Sequence, residues 1–176
     1  MIDQTVLDQL QELYDSLPTI ACQGKCANSC GPIDMSTAEH TRIVELGVLI
    51  PTFTVEASQR WADQEPLHCP ALNRQTLKCD VYEARPLICR LWGVADSMPC
   101  TYGCQPSRVL SDVETYELML RSFEIGGHRQ LRPDSEMRRM LDMLVDPTVG
   151  PLMSKFIRGD RSVESDLIEA IAAARG

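Results

Sequence analysis

The residues of this chain best placed to do chemistry are its cysteines. Eight occur, all between Cys22 and Cys104, and they fall into three groups. The first is Cys22-x3-Cys26-x3-Cys30, the second Cys69-x9-Cys79-x9-Cys89, and the third Cys100-x3-Cys104. A metal centre needs three or four thiolates converging on one point, and short loop spacings let neighbouring thiolates turn inward together. The longer spacings suit a hairpin and a helical turn that carry distant ligands to the same place. Zinc accepts pairs such as Cys22/Cys26, Cys26/Cys30 and Cys100/Cys104. An iron–sulfur cluster also takes clustered cysteines, and a ligand followed by proline, as in Cys69-Pro70, suits one. The spacing points to a metal and leaves its identity open.

Thiols of this kind become ligands in a reducing compartment and disulfides in an oxidising one. The start, Met1-Ile2-Asp3-Gln4-Thr5, lacks the basic and apolar stretches of a secretory signal, so a cytoplasmic protein is expected. At 176 residues and 44% hydrophobic composition, the chain can bury a core without disulfide staples. Ionising all eight thiols would double its formal charge of −8. Metal binding is therefore expected to be coupled to folding of residues 20–106.

Composition removes other classes. Lys+Arg total 17 against 25 Asp+Glu with no basic run, which argues against nucleic acid as a partner. Lys25, Lys78 and Lys155 are the only lysines, too few for a polybasic membrane patch, and no long apolar stretch predicts a membrane span. There is no Gly-x-Gly and no P-loop, so a dinucleotide or nucleotide loop is not expected. The first cysteine group is one residue off the Cys-x3-Cys-x2-Cys of radical S-adenosylmethionine enzymes, and the strand–helix alternation such barrels need is missing. Self-contained methyl transfer is disfavoured, and no acid/base or nucleophile pair emerges apart from the thiols.

The elements that must position the cysteines are mostly helical. Asp3 caps a predicted helix over 3–17, with Val6, Leu7, Leu10, Leu13, Tyr14 and Leu17 on one face and Pro18 as the stop. A cysteine-rich loop over 22–32 follows. Ser36 and Glu39 form a capping-box signal for a helix over 37–47, with Ile43, Val44 and Leu46 facing the core. Residues 48–68 read as irregular, with a short strand at Phe53 and Val55. Asn73-Arg74-Gln75 predicts a tight hairpin loop, and Asp80 a capped turn over Val81, Tyr82 and Glu83, ended by Arg85-Pro86. Ser111 and Glu114 predict a helix bearing Tyr116, Leu118, Met119, Leu120 and Phe123, ended at Gly126-Gly127. A helix over 134–145 carries Met137, Met140, Leu141 and Leu144. Pro147 and Pro151 mark a linker before a last helix over 161–174 with Val163, Leu167, Ile168 and Ile171. The fold class expected is mainly α, a single compact domain with a small irregular cysteine-rich knuckle and short hairpin. Residues 1–106 would hold the N-terminal helices and the metal-binding region, and residues 107–176 a helical C-terminal region packed on it.

Arg85 and Arg90 flank the knuckle, where they either offset thiolate charge and bind an anionic ligand or pair with Glu83 and Asp80. Tyr82 and Trp92 read as apolar walls. His68 precedes Cys69, but eight cysteines already satisfy two four-ligand sites, so a role outside the ligand set is expected. His40 and His128 have no partner at metal spacing. Met119, Met137, Met140, Met143 and Met153 read as core filling rather than a copper site. The acidic run over 164–166 reads as a solvated face.

The segments Cys22-Gln-Gly-Lys-Cys26-Ala-Asn-Ser-Cys30-Gly-Pro and Cys69-Pro-Ala-Leu belong to a recognisable pattern. It continues as Lys78-Cys79-Asp-Val-Tyr82-Glu-Ala-Arg85-Pro86-Leu-Ile-Cys89-Arg90-Leu-Trp92. Together they resemble the bacterial YkgJ-like cysteine-cluster family, described as zinc- or iron-chelating. The resemblance spans about residues 20–106 and implies metal binding through the cysteines. Some relatives are flagellin lysine N-methylases that look like iron–sulfur proteins. The family's usual first group is Cys-x2-Cys-x2-Cys-Cys, whereas this chain has x3 spacings and Gly31 in place of the adjacent cysteine. Cys100 or Cys104 is expected to supply the missing ligand. The expectation is an iron–sulfur protein of the 4Fe-4S type held by Cys22, Cys26, Cys30, Cys69, Cys79 and Cys89, completed by Cys100 and Cys104. The alternative is a zinc-stabilised interaction module whose acidic helical C-terminal region binds a protein partner.

Overall fold

The computed structural model describes residues 2–31, 33–51, 69–128, 131 and 136–174. The Asp3 carboxylate accepts the Thr5 N–H at 2.9 Å and opens α1, Gln4–Asp15, satisfying one of the donors a helix start leaves free. Leu10, Leu13 and Tyr14 form its buried stripe. The predicted capping box at Ser36 is present: Ser36 Oγ accepts the Glu39 N–H at 3.3 Å, and Glu39 Oε2 accepts the Ser36 N–H at 2.9 Å. It opens α2, Thr37–Glu45, in which Ile43 is fully buried. Leu46, expected in the core, is 59% exposed. The helix ends one residue before it, so Leu46 leaves the apolar stripe. The expected strand at Phe53 and Val55, and His68, lie outside the described residues.

A two-stranded antiparallel hairpin follows, β1 Leu72–Asn73 against β2 Lys78–Cys79, with Leu72 opposite Cys79. Its loop covers residues 74–77 and is longer than the three-residue turn expected. Asn73 belongs to the strand, and its Oδ1 accepts the N–H groups of Gln75 and Thr76, both at 3.0 Å. That side-chain mimicry of a backbone turn is what asparagine does well, and Leu77 closes the loop at φ 56°. Asp80 does not cap the 3-10 turn Tyr82–Ala84. It is held instead by Asn73 Nδ2, which donates to Asp80 Oδ1 at 3.3 Å. Next comes a five-residue helix the sequence did not reveal, α3, Leu87–Leu91.

The second half is helical. Ser111 and Glu114 form the other predicted capping box and open α4, Asp112–Gly126, which ends on Gly127 at φ 73°. A Cβ at Gly126 would overlap the Ser36 side chain, so the absence of a side chain there lets α4 meet the start of α2. Then come α5, Glu136–Val145, and α6, Val149–Ile157. The linker expected around Pro147 and Pro151 is thus partly helix. Pro151 is the third residue of α6, where its missing N–H would have had no helical partner. A 3-10 turn, Arg161–Val163, leads into α7, Glu164–Ala174.

Three apolar clusters hold these elements together. Leu10, Leu13 and Tyr14 of α1 pack with Leu87 and Leu91 of α3 and with Val94 and Leu110. Met35, Ile43, Ile50, Ala71, Val81 and Ala84 form a second cluster under the hairpin. Leu120 and Phe123 of α4 join Leu141 and Leu144 of α5 in the third, against which Met119 and Met153 pack. Two expected core residues lie outside: Met140 is 42% and Ile168 62% exposed, because α5 and α7 each bury a narrow stripe through Leu141, Leu144 and Leu167. The protein is a mainly helical, single compact domain with a small cysteine-bearing hairpin. No helix among the described residues is long and apolar enough to cross a membrane.

Candidate metal centre

All eight cysteines are free thiols. Cys26 starts the 3-10 turn Cys26–Ser29 and Cys30 follows it. Cys79 ends β2, Cys89 lies in α3, and Cys100 and Cys104 bracket a tight turn in which the Gly103 N–H donates to the Cys100 carbonyl at 3.2 Å.

Backbone contacts bring these segments together. The Cys69 N–H donates to the Cys30 carbonyl at 3.1 Å, fastening the hairpin to the first cysteine loop. The Leu72 N–H donates to the Cys69 carbonyl at 3.0 Å while Leu72 pairs with Cys79, which holds Cys69 beside Cys79. Elsewhere, Ile20 pairs with Pro106, and the Ser107 N–H donates to the Thr19 carbonyl at 2.8 Å. That pairing draws Cys22 towards Cys104. Gly93, at φ 89°, lets α3 approach from the other side: a Cβ there would stand 2.9 Å from Ile20 Cδ1 and 3.5 Å from Cys100 Cβ.

The thiols respond to one another. Burial, and then the neighbouring Cys69, Cys26 and Cys79, push the Cys30 thiol up to about 11. Cys89 is pushed up to about 12, again by burial first and then by Cys69, Cys30 and Cys79. Burial also raises Cys69, with Cys79 adding to it. Cys26 is raised by burial and by Cys22, with a smaller push from Cys100. Cys100 moves the other way, because the backbone N–H groups of Tyr102 and Cys104 stabilise its thiolate. The Gly24 N–H likewise donates to Cys22 Sγ at 3.3 Å.

The two arginines have different surroundings. Arg85 lowers the thiols of Cys26, Cys30 and Cys89. Its guanidinium lies 3.4 Å over the Tyr82 ring and its Nε donates to the Tyr82 carbonyl at 2.9 Å. Arg90 turns towards the fold: it donates to the Arg85 carbonyl at 2.8 Å and the Glu83 carbonyl at 2.7 Å and lies 4.2 Å from the Tyr14 ring. Trp92 lines a pocket with Cys22, Cys26, Cys89, Cys100 and Cys104, and its buried Nε1–H has no hydrogen-bond partner among the described residues. His40 Nε2 sits 2.7 Å from the Ile50 carbonyl, and His128 stacks on Phe123 beside the Asp34 carboxylate.

Among the described residues, no three His, Cys, Asp or Glu side chains converge closely enough to grip an ion as they stand. Burial favours the protonated form of Cys26, Cys30, Cys69 and Cys89, and a metal must displace thiol protons to draw its ligands in. The donor set still suits a thiophilic metal, since it is all sulfur, backbone N–H groups point at the thiols of Cys22, Cys69 and Cys100, and the Trp92 N–H is unpartnered among the described residues.

Sequence reasoning identified the cysteines but missed Glu39 as more than a cap. Its carboxylate is 2% exposed and accepts from Tyr14 Oη, the Leu87 N–H, the Ser36 N–H and hydroxyl, and Ser122 Oγ. The capping box was the available signal, and it says nothing of burial.

A family model named CxxCxxCC and described as "Putative zinc- or iron-chelating domain" matches residues 21–117, a stretch that contains every cysteine of the chain. No curated protein and no solved structure matches the chain.

Proposed function

The chain belongs to the CxxCxxCC family of zinc- or iron-chelating domains, and from that premise we propose that it holds an iron–sulfur cluster of the 4Fe-4S type on its cysteines. Cys22, Cys26, Cys30, Cys69, Cys79 and Cys89 are the ligands the motif favours, with Cys100 and Cys104 completing the set. The observation that carries the reading is the pocket beside Cys22, Cys26, Cys100 and Cys104. A structural zinc site is closed, whereas thiols opening onto a pocket suit a centre that exchanges electrons or meets another molecule. Such a cluster, when bound, supplies one-electron chemistry. Arg85 offsets thiolate charge, and the Trp92 N–H is free to donate to sulfur, which tunes a reduction potential.

The second reading, a zinc-stabilised interaction module, draws on the apolar residues left exposed on the C-terminal helices, Ile157 and Ile168. There the thiols only brace the hairpin and the acidic helical half meets a protein partner. Anaerobic purification followed by iron, sulfide and zinc analysis separates the two. Iron with sulfide supports the cluster, and zinc alone supports the module.

A further inference from the structure

The eight cysteines do not surround one point. We propose that they make two four-thiolate sites: a hairpin site from Cys30, Cys69, Cys79 and Cys89, and a pocket site from Cys22, Cys26, Cys100 and Cys104.

The chain divides between Cys26 and Cys30. A 3-10 turn has about three residues per turn, so positions four apart do not share a face. Across Cys26–Ser29, Cys26 has Cys22 and Cys100 as neighbours and Cys30 has Cys69 and Cys79, and the sets meet where the Cys30 thiol reaches the Cys26 carbonyl at 3.9 Å. The hairpin set is fixed by the Cys69 N–H bond to the Cys30 carbonyl and by the hairpin register that sets Cys69 beside Cys79. Cys69 and Cys79 also pack on the cluster around Ile43. Cys89, from α3, completes this set through its neighbours Cys69, Cys30 and Cys79, and it also lines the pocket, where the two sets adjoin. The pocket set is fixed by the Ile20–Pro106 pairing and by the close approach of Gly93 to Cys100, and its four cysteines line the pocket with Cys89. Each site would take a divalent ion by releasing its thiol protons, as four thiolates replace four thiols. The pocket site, which contains the exposed Cys22, should exchange its metal first.

This inference rests on reading the cysteines as metal ligands but not on which metal they hold. The test therefore loads reduced, metal-stripped full-length protein with Zn2+ alone, without oxygen. Wild type should bind about two zinc ions. The paired variants Cys69→Ser/Cys79→Ser and Cys22→Ser/Cys100→Ser each damage one site and should retain half of that zinc. The crossed variant Cys69→Ser/Cys100→Ser damages both and should retain none. Equal zinc in crossed and same-site variants would overturn the partition while leaving metal binding intact. No zinc on wild type would overturn the two four-thiolate sites, while iron and sulfide in the protein as purified would still support the metal reading. Wild type alone gives a second readout that needs no variant to fold. Under a limiting chelator, alkylation mapped by peptide mass should modify Cys22, Cys26, Cys100 and Cys104 as a block. Alkylation that mixes the two sets contradicts the division.

Discussion

Glu39 Oε1, carried on α2, accepts the backbone N–H of Leu87 at 2.6 Å, at the first residue of the helix that carries Cys89. The same carboxylate binds Tyr14 of α1 and Ser122 of α4. A buried acceptor thus ties together four helices behind the cysteines. Glu39→Gln puts an NH2 group where a donor-facing oxygen stood, leaving buried N–H or O–H groups unpaired. It should cost about 3 kcal/mol in chemical denaturation. Glu114→Gln alters the matching but exposed capping box and should cost about 1 kcal/mol or less. Equal losses would mean that the Glu39 network is ordinary capping.

The pH response of the metal-free protein follows from groups whose folded values lie above their ordinary ones. Cys30 and Cys89 are raised from 9.0 to about 11 and about 12, and burial followed by Glu39 holds the Tyr14 phenol far above its usual range. A raised value means stability that is fully present below the unfolded value and lost as pH rises through the folded one. Thermal midpoints of metal-free protein should therefore be flat below about pH 9 and fall from there towards pH 12. A midpoint that rises across that window contradicts the burial of these groups.

Much of this architecture was legible in sequence because its signals are local. Both capping boxes, the stripe of Leu10, Leu13 and Tyr14, and the Gly127 stop occur where their spacing placed them. What was not legible depends on contacts distant in sequence. α3 is too short to show a period, and α6 was hidden by a proline that its first turn tolerates. Glu39 read only as part of a capping box, and its burial depends on α1, α3 and α4 meeting around it. Cysteine spacing gave the ligand candidates, but their neighbours are set by the hairpin register and the Ile20–Pro106 pairing, which no spacing encodes.

Gly93 is the point where backbone conformation serves the centre. Gly93→Ala adds a Cβ at φ 89° and 2.9 Å from Ile20 Cδ1, which should lower stability by about 2 kcal/mol. The control is Gly24→Ala, also at positive φ but with open space around it, for a cost of about 1 kcal/mol. Zinc release to a chelator should be faster in Gly93→Ala than in Gly24→Ala. Identical release rates would separate Gly93 from the cysteines.

Arg85 and Arg90 should part company when replaced. Without Arg85, the thiols of Cys26, Cys30 and Cys89 lose the charge that favours their ionised form. Arg85→Ala should therefore weaken zinc binding at pH 7 by roughly tenfold, with less loss at higher pH. Arg90→Ala removes two backbone tethers and the stack on Tyr14. It should lower the thermal midpoint and leave affinity nearly unchanged. Competition titrations at several pH values distinguish these outcomes, and a loss of affinity confined to Arg90→Ala reverses the assignment.

The most direct test of the central claim is the visible spectrum of anaerobically purified protein, taken with its iron and acid-labile sulfide content. The account predicts brown protein with broad visible absorption that bleaches on reduction, and iron and sulfide in equal amounts. Colourless protein carrying stoichiometric zinc and no sulfide would contradict it.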